Sequence, residues 1–305
     1  MKTFLVVNPQ SANGLTGRRW AEISARVSRR LGDVGFGFTE RPLDGVRLAR
    51  RALEDGYECI VSVGGDGTIN EVTNGFFADG QALNPKAALG VLPRGTGGDF
   101  RRTFDWDLEL DSAIARLASD RTEPFDVGLV EYTGREGAPE RRYFANISSF
   151  GVSAVVAEEA NLGTKALGAK GSFMWATVKG LLKYRMRPVR LSFDGGAPET
   201  VDVTAVALCN GRYFGGGMKV APTADTRDGL LDVTIWSGYG VVDFALKSKG
   251  AYNGEHIHWK GTRTLRCRTM TAEADEQTLL DVDGEVPGQL PCKVSLVPSA
   301  IRLKV

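Results

Sequence analysis

The spacing of hydrophobic and polar positions in the first 125 residues predicts strands and helices in alternation. Residues 3–7 form a short apolar run typical of a buried strand, and residues 18–31 repeat apolar side chains every three or four positions, which predicts an amphipathic helix. The further predicted helices are 46–53, 69–77 and 112–117, and the further predicted strands are 59–63 and 87–92. This alternation indicates a mostly parallel sheet covered by helices, a three-layer α/β domain.

After residue 125 the pattern changes to short alternating segments separated by Gly, Pro and Asp. The predicted strands are 126–132, 143–148, 189–193, 200–210, 231–236, 264–271 and 277–282. Such spacing predicts a β-sandwich or a barrel, interrupted by one helix over residues 171–184. We therefore expect a domain of residues 1–125 and a β-rich domain of residues 126–305, whose last strand, 293–305, either completes the second domain or returns to the first sheet.

Composition narrows the class of protein. The chain has 305 residues, 42% of them hydrophobic and 25% charged, as in ordinary folded proteins of two domains. With 38 basic and 37 acidic residues the net charge is +1, so we expect no nucleic-acid partner. No run approaches the ~20 apolar residues of a membrane helix. The four cysteines are scattered without a C-x-x-C pair, which favours a reducing cytoplasm.

The first candidate site is a glycine turn after the predicted strand 59–63. Its residues are Gly64, Gly65, Asp66, Gly67 and Thr68. Glycines allow a phosphate to approach the backbone, the following helix directs its positive end at that phosphate, and Asp66 is a ligand type suited to the accompanying Mg²⁺. The alternative is an ordinary strand-to-helix turn, which the close spacing of three glycines and an acid disfavours.

A second glycine turn follows the predicted strand 87–92 and contains Gly95, Thr96, Gly97 and Gly98 before Asp99. Ligands of open α/β sheets bind beyond the carboxyl ends of the strands, so we expect the two glycine turns and Asn8, after the first strand, to converge on one nucleotide. Taken alone, this second turn is weak evidence, and a flexible loop is the alternative interpretation.

Competing motifs are absent or weak. The sequence contains neither G-x-G-x-x-G nor G-x-S-x-G, and residues 163–170 resemble a P-loop only superficially, because no strand precedes them. His256 and His258 are the only histidines; a structural role for them is favoured over metal binding, since no third ligand lies nearby in sequence.

Together these motifs resemble the diacylglycerol kinase catalytic family, and in particular its soluble bacterial lipid kinases, over nearly the whole chain. The resemblance rests on Asn8, Pro9, residues 64–72, 93–100, Asn210, Gly211, residues 215–217, 222–232 and Asp283, Gly284, Glu285. It implies an α/β nucleotide-binding domain followed by a β-sandwich domain. Two departures are Gly98, where the family often has Asn, and Ser11–Ala12–Asn13–Gly14, one residue longer than usual; they bear on nucleotide placement and substrate identity.

The resemblance implies a kinase that transfers the γ-phosphate of ATP to a lipid hydroxyl with the help of Mg²⁺. Asp66 would serve the phosphate and Mg²⁺ region, Asp99 matches an essential carboxylate, and Glu285 matches the general base; without the resemblance, Glu285 would be a surface hairpin acid. The nucleotide-binding residues implied are Asn8, Arg18, Gly64, Gly65, Gly67, Thr68, Gly95, Thr96 and Gly97.

Residues 225–230 resemble a loop that holds a structural Mg²⁺ in the soluble bacterial members. Asp225 and Asp228 would supply carboxylates and Leu230 a backbone oxygen. A plain Asx turn before the next strand explains the same acids almost as well.

A stretch without acidic residues, 160–193, carries the basic residues Lys165, Lys170, Lys179, Lys183, Arg185, Arg187 and Arg190. Interleaved with Phe173, Met174 and Trp175, it predicts either a surface that rests on an anionic bilayer or a core helix with a solvated basic face. The first alternative implies a cytoplasmic protein peripheral to the inner membrane face.

Three choices stay open at this level. Diacylglycerol is the first expectation for the lipid, but the motifs do not distinguish it from related lipids. An NAD kinase-like activity on a soluble nucleotide and a catalytically silent binding protein are the alternative functions. A monomer and a homodimer are equally compatible with the sequence.

Overall fold

The computed structural model describes residues 1–95, 98–162, 176–180 and 182–305. Two compact units are present: Met1–Val127 together with Pro298–Val305, and Gly128–Val297.

The first unit alternates strands and helices. Its strands are β1 Thr3–Val7, β2 Gly35–Phe38, β3 Cys59–Gly64, β4 Phe77–Ala78, β5 Gln81–Ala82 and β6 Ala88–Pro93. Its helices are α1 Leu15–Arg18, α2 Trp20–Leu31, α3 Asp44–Glu54, α4 Asp66–Gly75, α5 Asp99–Thr103 and α6 Leu110–Ala118.

The second unit is rich in strands. They are β7 Thr122–Gly134, which begins in the first unit, β8 Pro139–Phe144, β9 Ile147–Gly151, β10 Arg187–Phe193, β11 Glu199–Val203, β12 Ala205–Cys209, β13 Leu231–Trp236, β14 Thr262–Cys267, β15 Thr269–Glu273, β16 Leu279–Val282 and β17 Glu285–Lys304, which ends in the first unit. Its helices include α7 Val152–Leu162, the helix Val241–Asn253 and the 3₁₀ turn Glu255–His258.

The sheet of the first unit is parallel, in the order β6-β3-β1-β2. Alternate side chains of β1, such as Leu5 and Val7, share a core with Ile23 of α2 and Ile114 of α6. Val6 points to the opposite face and is equally buried, while α3 packs against α4. The α/β architecture predicted from the sequence is confirmed.

The last strand combines both alternatives that the sequence left open. Val294 of β17 pairs with Met270 of β15 in the second unit, and farther along Arg302 and Leu303 pair in parallel with Ala88 and Leu89 of β6, so the end of the strand returns to the first sheet.

In the second unit, antiparallel strands form two layers around one apolar core. One layer has the order β14-β13-β12-β9-β16, and the other has β11-β10-β15-β17. Leu208 and Val233 from the first layer share a core with Leu191 and Met270 from the second. The predicted β-sandwich is confirmed.

Several predicted strands are divided in the structure. The prediction 200–210 is broken at Thr204 and 264–271 at Arg268. At Arg268 the cause is visible, because Asp194 accepts hydrogen bonds from the backbone N–H groups of Arg268 and Thr269 at 2.9 and 2.8 Å. The sequence pattern also missed β2, α7 and the helix Val241–Asn253.

Of the predicted helix 171–184, residues 176–180 and 182–183 are helical, and the rest lies outside the described residues except for Tyr184, which follows the helix. Within the described ranges no helix has the length and apolar character needed to cross a membrane.

Candidate active site

The carboxyl ends of β1, β3 and β6 lie along one edge, because these strands are parallel neighbours. The backbone N–H of Asn8 donates to the Val63 carbonyl at 3.0 Å, and that of Arg94 donates to the Gly64 carbonyl at 2.7 Å. The structure thus brings the start of all three sequence-predicted turns together.

The turn after β3 is packed against Asn8. The side-chain amide of Asn8 donates to Thr68 Oγ1 at 3.3 Å, and a Cβ atom at Gly64 would collide with the same hydroxyl. Gly67 and Thr68 are in the first turn of α4, where backbone N–H groups have no partner inside the helix. This end of α4 therefore has the polarity and the donors that an anion needs.

The two glycine turns touch each other at Gly65 and Gly95. A Cβ atom on Gly95 would lie 2.5 Å from the Cα of Gly65, closer than any real side chain approaches. Neither residue has a positive φ, so close backbone approach, and not an unusual conformation, is what requires glycine here.

Asp66 joins the same two turns through hydrogen bonds. It is the first residue of α4, and its carboxylate accepts the backbone N–H of Asp99 at 3.1 Å and that of Phe100 at 3.3 Å. These donors belong to the first turn of α5, so Asp66 stabilises the start of that helix. The two carboxylate oxygens of Asp66 together have about four lone-pair sites, so two hydrogen bonds leave it able to bind a cation as well.

Asp99 is buried at the start of α5 and pairs with Arg102 at 2.8 Å. Gly98 precedes it with a φ of 67°, in the left-handed region. Asn tolerates this region better than most residues, so Gly98 and the family's Asn both suit the backbone.

Arg18 ends α1 and folds back over the turn after β1. Its Nη2 donates to the Asn13 carbonyl at 3.1 Å, and the side chain is exposed. The longer turn accommodates its extra residue with three successive positive φ angles, at Ala12, Asn13 and Gly14. Of the other predicted nucleotide-binding residues, Thr96 and Gly97 lie outside the described residues.

Glu285 is in the second unit, at the start of β17. It pairs with Val282 across a two-residue turn of Asp283 and Gly284, both with positive φ, as a tight hairpin requires. Glu285 is exposed, whereas the Asp283 carboxylate accepts the backbone N–H groups of residues 145, 146 and 147 at 2.9–3.1 Å. Asp283 therefore anchors the turn from which Glu285 projects.

Beneath this turn lies an acid that sequence reasoning missed. Asp281 is buried in β16, and its carboxylate accepts the Ser149 hydroxyl at 2.9 Å and the Gly284 N–H at 2.8 Å. Burial raises the pKa of Asp281 to about 7, and the nearby Asp283 adds to this effect. The available signal was an acid between Leu280 and Val282 in an otherwise apolar strand.

The loop of residues 225–230 has the geometry of an Asx turn. Asp228 accepts the Leu230 N–H at 3.0 Å with one oxygen and pairs with Arg266 at 3.3 Å with the other. Asp225 pairs with Arg227 at 3.3 Å. Among the described residues no three His, Cys, Asp or Glu side chains gather as a metal site.

The stretch without acidic residues, called the basic segment below, pairs with acids from elsewhere in the second unit. Lys179 lies 3.9 Å from Glu159 of α7, and Lys183 donates to the same carboxylate. Farther on, Arg187 pairs with Glu276 at 3.2 Å and Arg190 with Glu273 at 2.7 Å. Lys165 and Lys170, like Phe173, Met174 and Trp175, lie outside the described residues.

Comparison with known proteins identifies the class. Residues 2–130 match the Diacylglycerol kinase catalytic domain, and residues 146–305 match the YegS C-terminal NAD kinase beta sandwich-like domain. The chain belongs to this family of diacylglycerol kinase and YegS-like lipid kinases, and it is a lipid kinase.

Relatives cover nearly the whole chain. A diacylglycerol kinase of Mycobacterium tuberculosis is 26% identical over 304 residues, which are 99% of this chain and 94% of the relative. A diacylglycerol kinase of Bacillus subtilis is 25% identical over 289 residues, 94% of this chain and 90% of the relative. A crystal structure of a diacylglycerol kinase from Bacillus anthracis has the same fold, with a TM-score of 0.71 at 19% identity, and covers 99% of this chain and 96% of that one.

Proposed function

We propose that the protein transfers the γ-phosphate of ATP to the hydroxyl of a lipid, with diacylglycerol as the first expected substrate, in a reaction that needs Mg²⁺. The observation that carries this proposal is the backbone contact of Gly65 with Gly95, with Asp66 hydrogen-bonded across it. Two glycine turns and a carboxylate at the amino end of a helix form a compact site of the kind that binds polyphosphates.

The nucleotide would be held by the first unit. Gly67 and Thr68 supply backbone N–H groups at the start of α4, and the lack of side chains at Gly64, Gly65 and Gly95 lets Thr68 and the two turns pack closely. Asn8 orients the Thr68 hydroxyl. Arg18, exposed beside the neighbouring turn, is the cation proposed for the phosphates. Thr96 and Gly97 complete the proposed set.

The residues fit Mg²⁺ chemically. Mg²⁺ prefers carboxylate oxygens, and Asp66 retains acceptor capacity beyond its two backbone hydrogen bonds. When bound, Mg²⁺ would neutralise charge that develops on the phosphates. Asp99 is proposed as the second carboxylate of this region, held by Arg102. A structural Mg²⁺ at Asp225, Asp228 and Leu230 remains a prediction of the resemblance, and it would have to displace the arginines that now pair with both acids.

Glu285 is proposed as the general base. An alcohol is barely acidic at neutral pH, so its proton must pass to a positioned acceptor as the new O–P bond forms. Glu285 is exposed, and it projects from a turn that the Asp283 carboxylate anchors through three backbone hydrogen bonds.

Peripheral contact with an anionic membrane is proposed for the basic segment, with the protein in the cytoplasm. The pairing of Lys179 and Lys183 with Glu159 reduces the charge that these lysines offer, so the proposed contact depends on the other basic residues of this segment. A homodimer stays a prediction.

The test is a panel assay with labelled ATP. The purified protein would be given diacylglycerol, phosphatidylglycerol, a sphingoid base, ceramide and NAD, each with Mg²⁺ and with EDTA. We expect a phosphorylated lipid that forms only with Mg²⁺, and diacylglycerol as the best acceptor. Efficient phosphorylation of NAD with every lipid untouched would overturn the proposal.

A further inference from the structure

The Gly284 peptide groups are held at both ends by groups that the proposed mechanism does not use. The Gly284 N–H donates to Asp281 at 2.8 Å, and the Gly284 carbonyl accepts the side-chain amide of Asn161 in α7 at 3.0 Å. The carbonyl belongs to the peptide bond that leads into Glu285. The N–H belongs to the preceding peptide bond, so one hydrogen bond holds each of the two peptide groups that flank Gly284, and together they restrict the direction of Glu285.

A carboxylate in this place needs an explanation. Asp281 lies between Leu280 and Val282, both fully buried, where an apolar side chain would avoid the cost of desolvating an acid. Its two oxygens each accept one hydrogen bond, one from Ser149 of the neighbouring β9 and one from Gly284. An apolar residue would leave both donors without a partner.

We propose that Asp281 is a positioning residue for Glu285: its ionised carboxylate holds the Gly284 N–H and so fixes the turn that presents Glu285. This inference rests on the proposed role of Glu285 as the base. Asp281 does not itself meet the substrate.

The ionisation of Asp281 depends on the charged groups around it, including Asp283 and Glu285 of the turn. Burial is the main reason that the pKa of Asp281 rises to about 7; the nearby charges of Asp283 and Glu285 raise it further, and the bonds from Ser149 and Gly284 oppose the rise. The neighbouring β9 carries no charged residue. The other elements packed against β16 bring the charged groups Glu158 and Glu159 of α7, paired with Arg135 and Lys183, and Glu140, Arg141 and Arg142 of β8.

The ionised carboxylate accepts both bonds, whereas a protonated one turns an oxygen into a donor. Positioning of Glu285 should therefore weaken as the pH falls through about 7. In the proposed kinase, kcat should therefore decrease as the pH falls through that range, which gives the pH profile an acid limb.

The kinetic test compares pH profiles of kcat and the KM for ATP. Asp281→Asn keeps the shape and one acceptor, so we expect the limb near pH 7 to vanish and the plateau to fall roughly tenfold, with the KM for ATP unchanged. Asp281→Ala should lose more, which makes Asn the partial rescue. Ser149→Ala removes a donor that stabilises the anion and should shift the limb upward by roughly one pH unit. Asp194→Asn, in another turn of the second unit, is the matched control and should keep the wild-type profile.

An NMR titration, which does not depend on enzyme activity, tests the positioning role of Asp281 separately from the assignment of Glu285 as the base. Labelling Asp carbonyls with ¹³C and Gly nitrogens with ¹⁵N limits the spectrum to the seven glycine amides that follow an aspartate. Among these, the Gly284 amide should titrate near pH 7 in the wild type and not in Asp281→Asn. Glu285→Gln should lower that midpoint, because a like charge is removed.

If Glu285→Gln retains wild-type kcat, the base assignment and the positioning role both fail. If Glu285→Gln is inactive but Asp281→Asn keeps the wild-type kcat and pH profile, the positioning role alone is overturned. A Gly284 amide that titrates identically in wild type and Asp281→Asn has the same consequence.

Discussion

The carboxylate of Asp66 accepts a hydrogen bond from the backbone N–H of Asp99 at 3.1 Å. One acid of the first glycine turn thus fixes the helix that follows the second turn. Because the bond joins segments 33 residues apart, Asp66 has a structural task as well as its proposed chemical one. A substitution there changes both, and only a control with the same structural loss separates them.

We expect Asp66→Ala to abolish measurable transfer. It removes the carboxylate proposed for Mg²⁺ and leaves the first N–H groups of α5 without their acceptor. The loss in kcat should exceed a hundredfold, measured with labelled ATP and diacylglycerol, since removal of one preorganised electrostatic group costs roughly that much.

Asp44→Ala is the matched control for this variant. Asp44 also accepts two backbone N–H groups, those of Glu40 and Arg41, at 2.9 and 3.1 Å. Both variants should unfold at a lower temperature, but Asp44→Ala should keep kcat. Equal loss of activity in the two would mean that Asp66 acts through stability alone.

The contact of Gly95 with Gly65 predicts that Gly95→Ala is harmful. The added methyl group meets backbone, which moves less readily than a side chain, so we expect a destabilisation of about 1–3 kcal/mol and a higher KM for ATP. Gly240→Ala is the control, because a Cβ atom there meets nothing within 4 Å and φ is negative. Calorimetry and ATP titration of both variants give the answer, and a wild-type KM in Gly95→Ala would contradict the role of this contact.

Local patterns predicted the parts of the molecule that local chemistry determines. The strand-glycine-helix succession around Gly64 placed the first turn at the carboxyl edge of the sheet, because parallel pairing leaves few alternatives. Contacts between distant segments were not predictable: nothing near Asp66 in sequence indicates that it bonds to Asp99, and nothing near Lys183 indicates Glu159. Asp281 itself stands out as an acid in an apolar strand, but its contact with Ser149, 132 residues away, was not predictable either.

For Glu285→Gln we expect kcat to fall by roughly 10²–10⁴ while the KM for ATP changes little. Glutamine keeps the shape of the side chain and removes the proton acceptor. Single-turnover kinetics with bound ATP isolate the transfer step. A variant that binds ATP poorly but turns over normally when saturated would make Glu285 a binding residue.

The pairing of Lys179 and Lys183 with Glu159 gives the membrane proposal a two-sided test. Reversing both lysines should weaken sedimentation with vesicles that contain phosphatidylglycerol, most clearly at low salt, whereas Glu159→Gln should strengthen it by freeing two positive charges. Neutral phosphatidylcholine vesicles are the control. If neither substitution changes binding to anionic vesicles, the basic segment that contains Lys179 and Lys183 does not contact the membrane.

Asp281 also predicts how stability depends on pH. Its pKa is about 7 in the folded protein, above the value of an unfolded aspartate, so the folded state holds the proton more tightly. The stabilisation from this group is complete below pH ~4 and is lost as the pH rises through about 7, where the buried carboxyl must ionise. Asn cannot ionise, so Asp281→Asn should gain stability relative to the wild type between pH 4 and 8, and its Tm should exceed the wild-type value by at least about 2 °C at pH 8. Thermal unfolding of both proteins across this range measures the difference. A gap in Tm that is the same at pH 4 and pH 8 would show that Asp281 does not titrate between them.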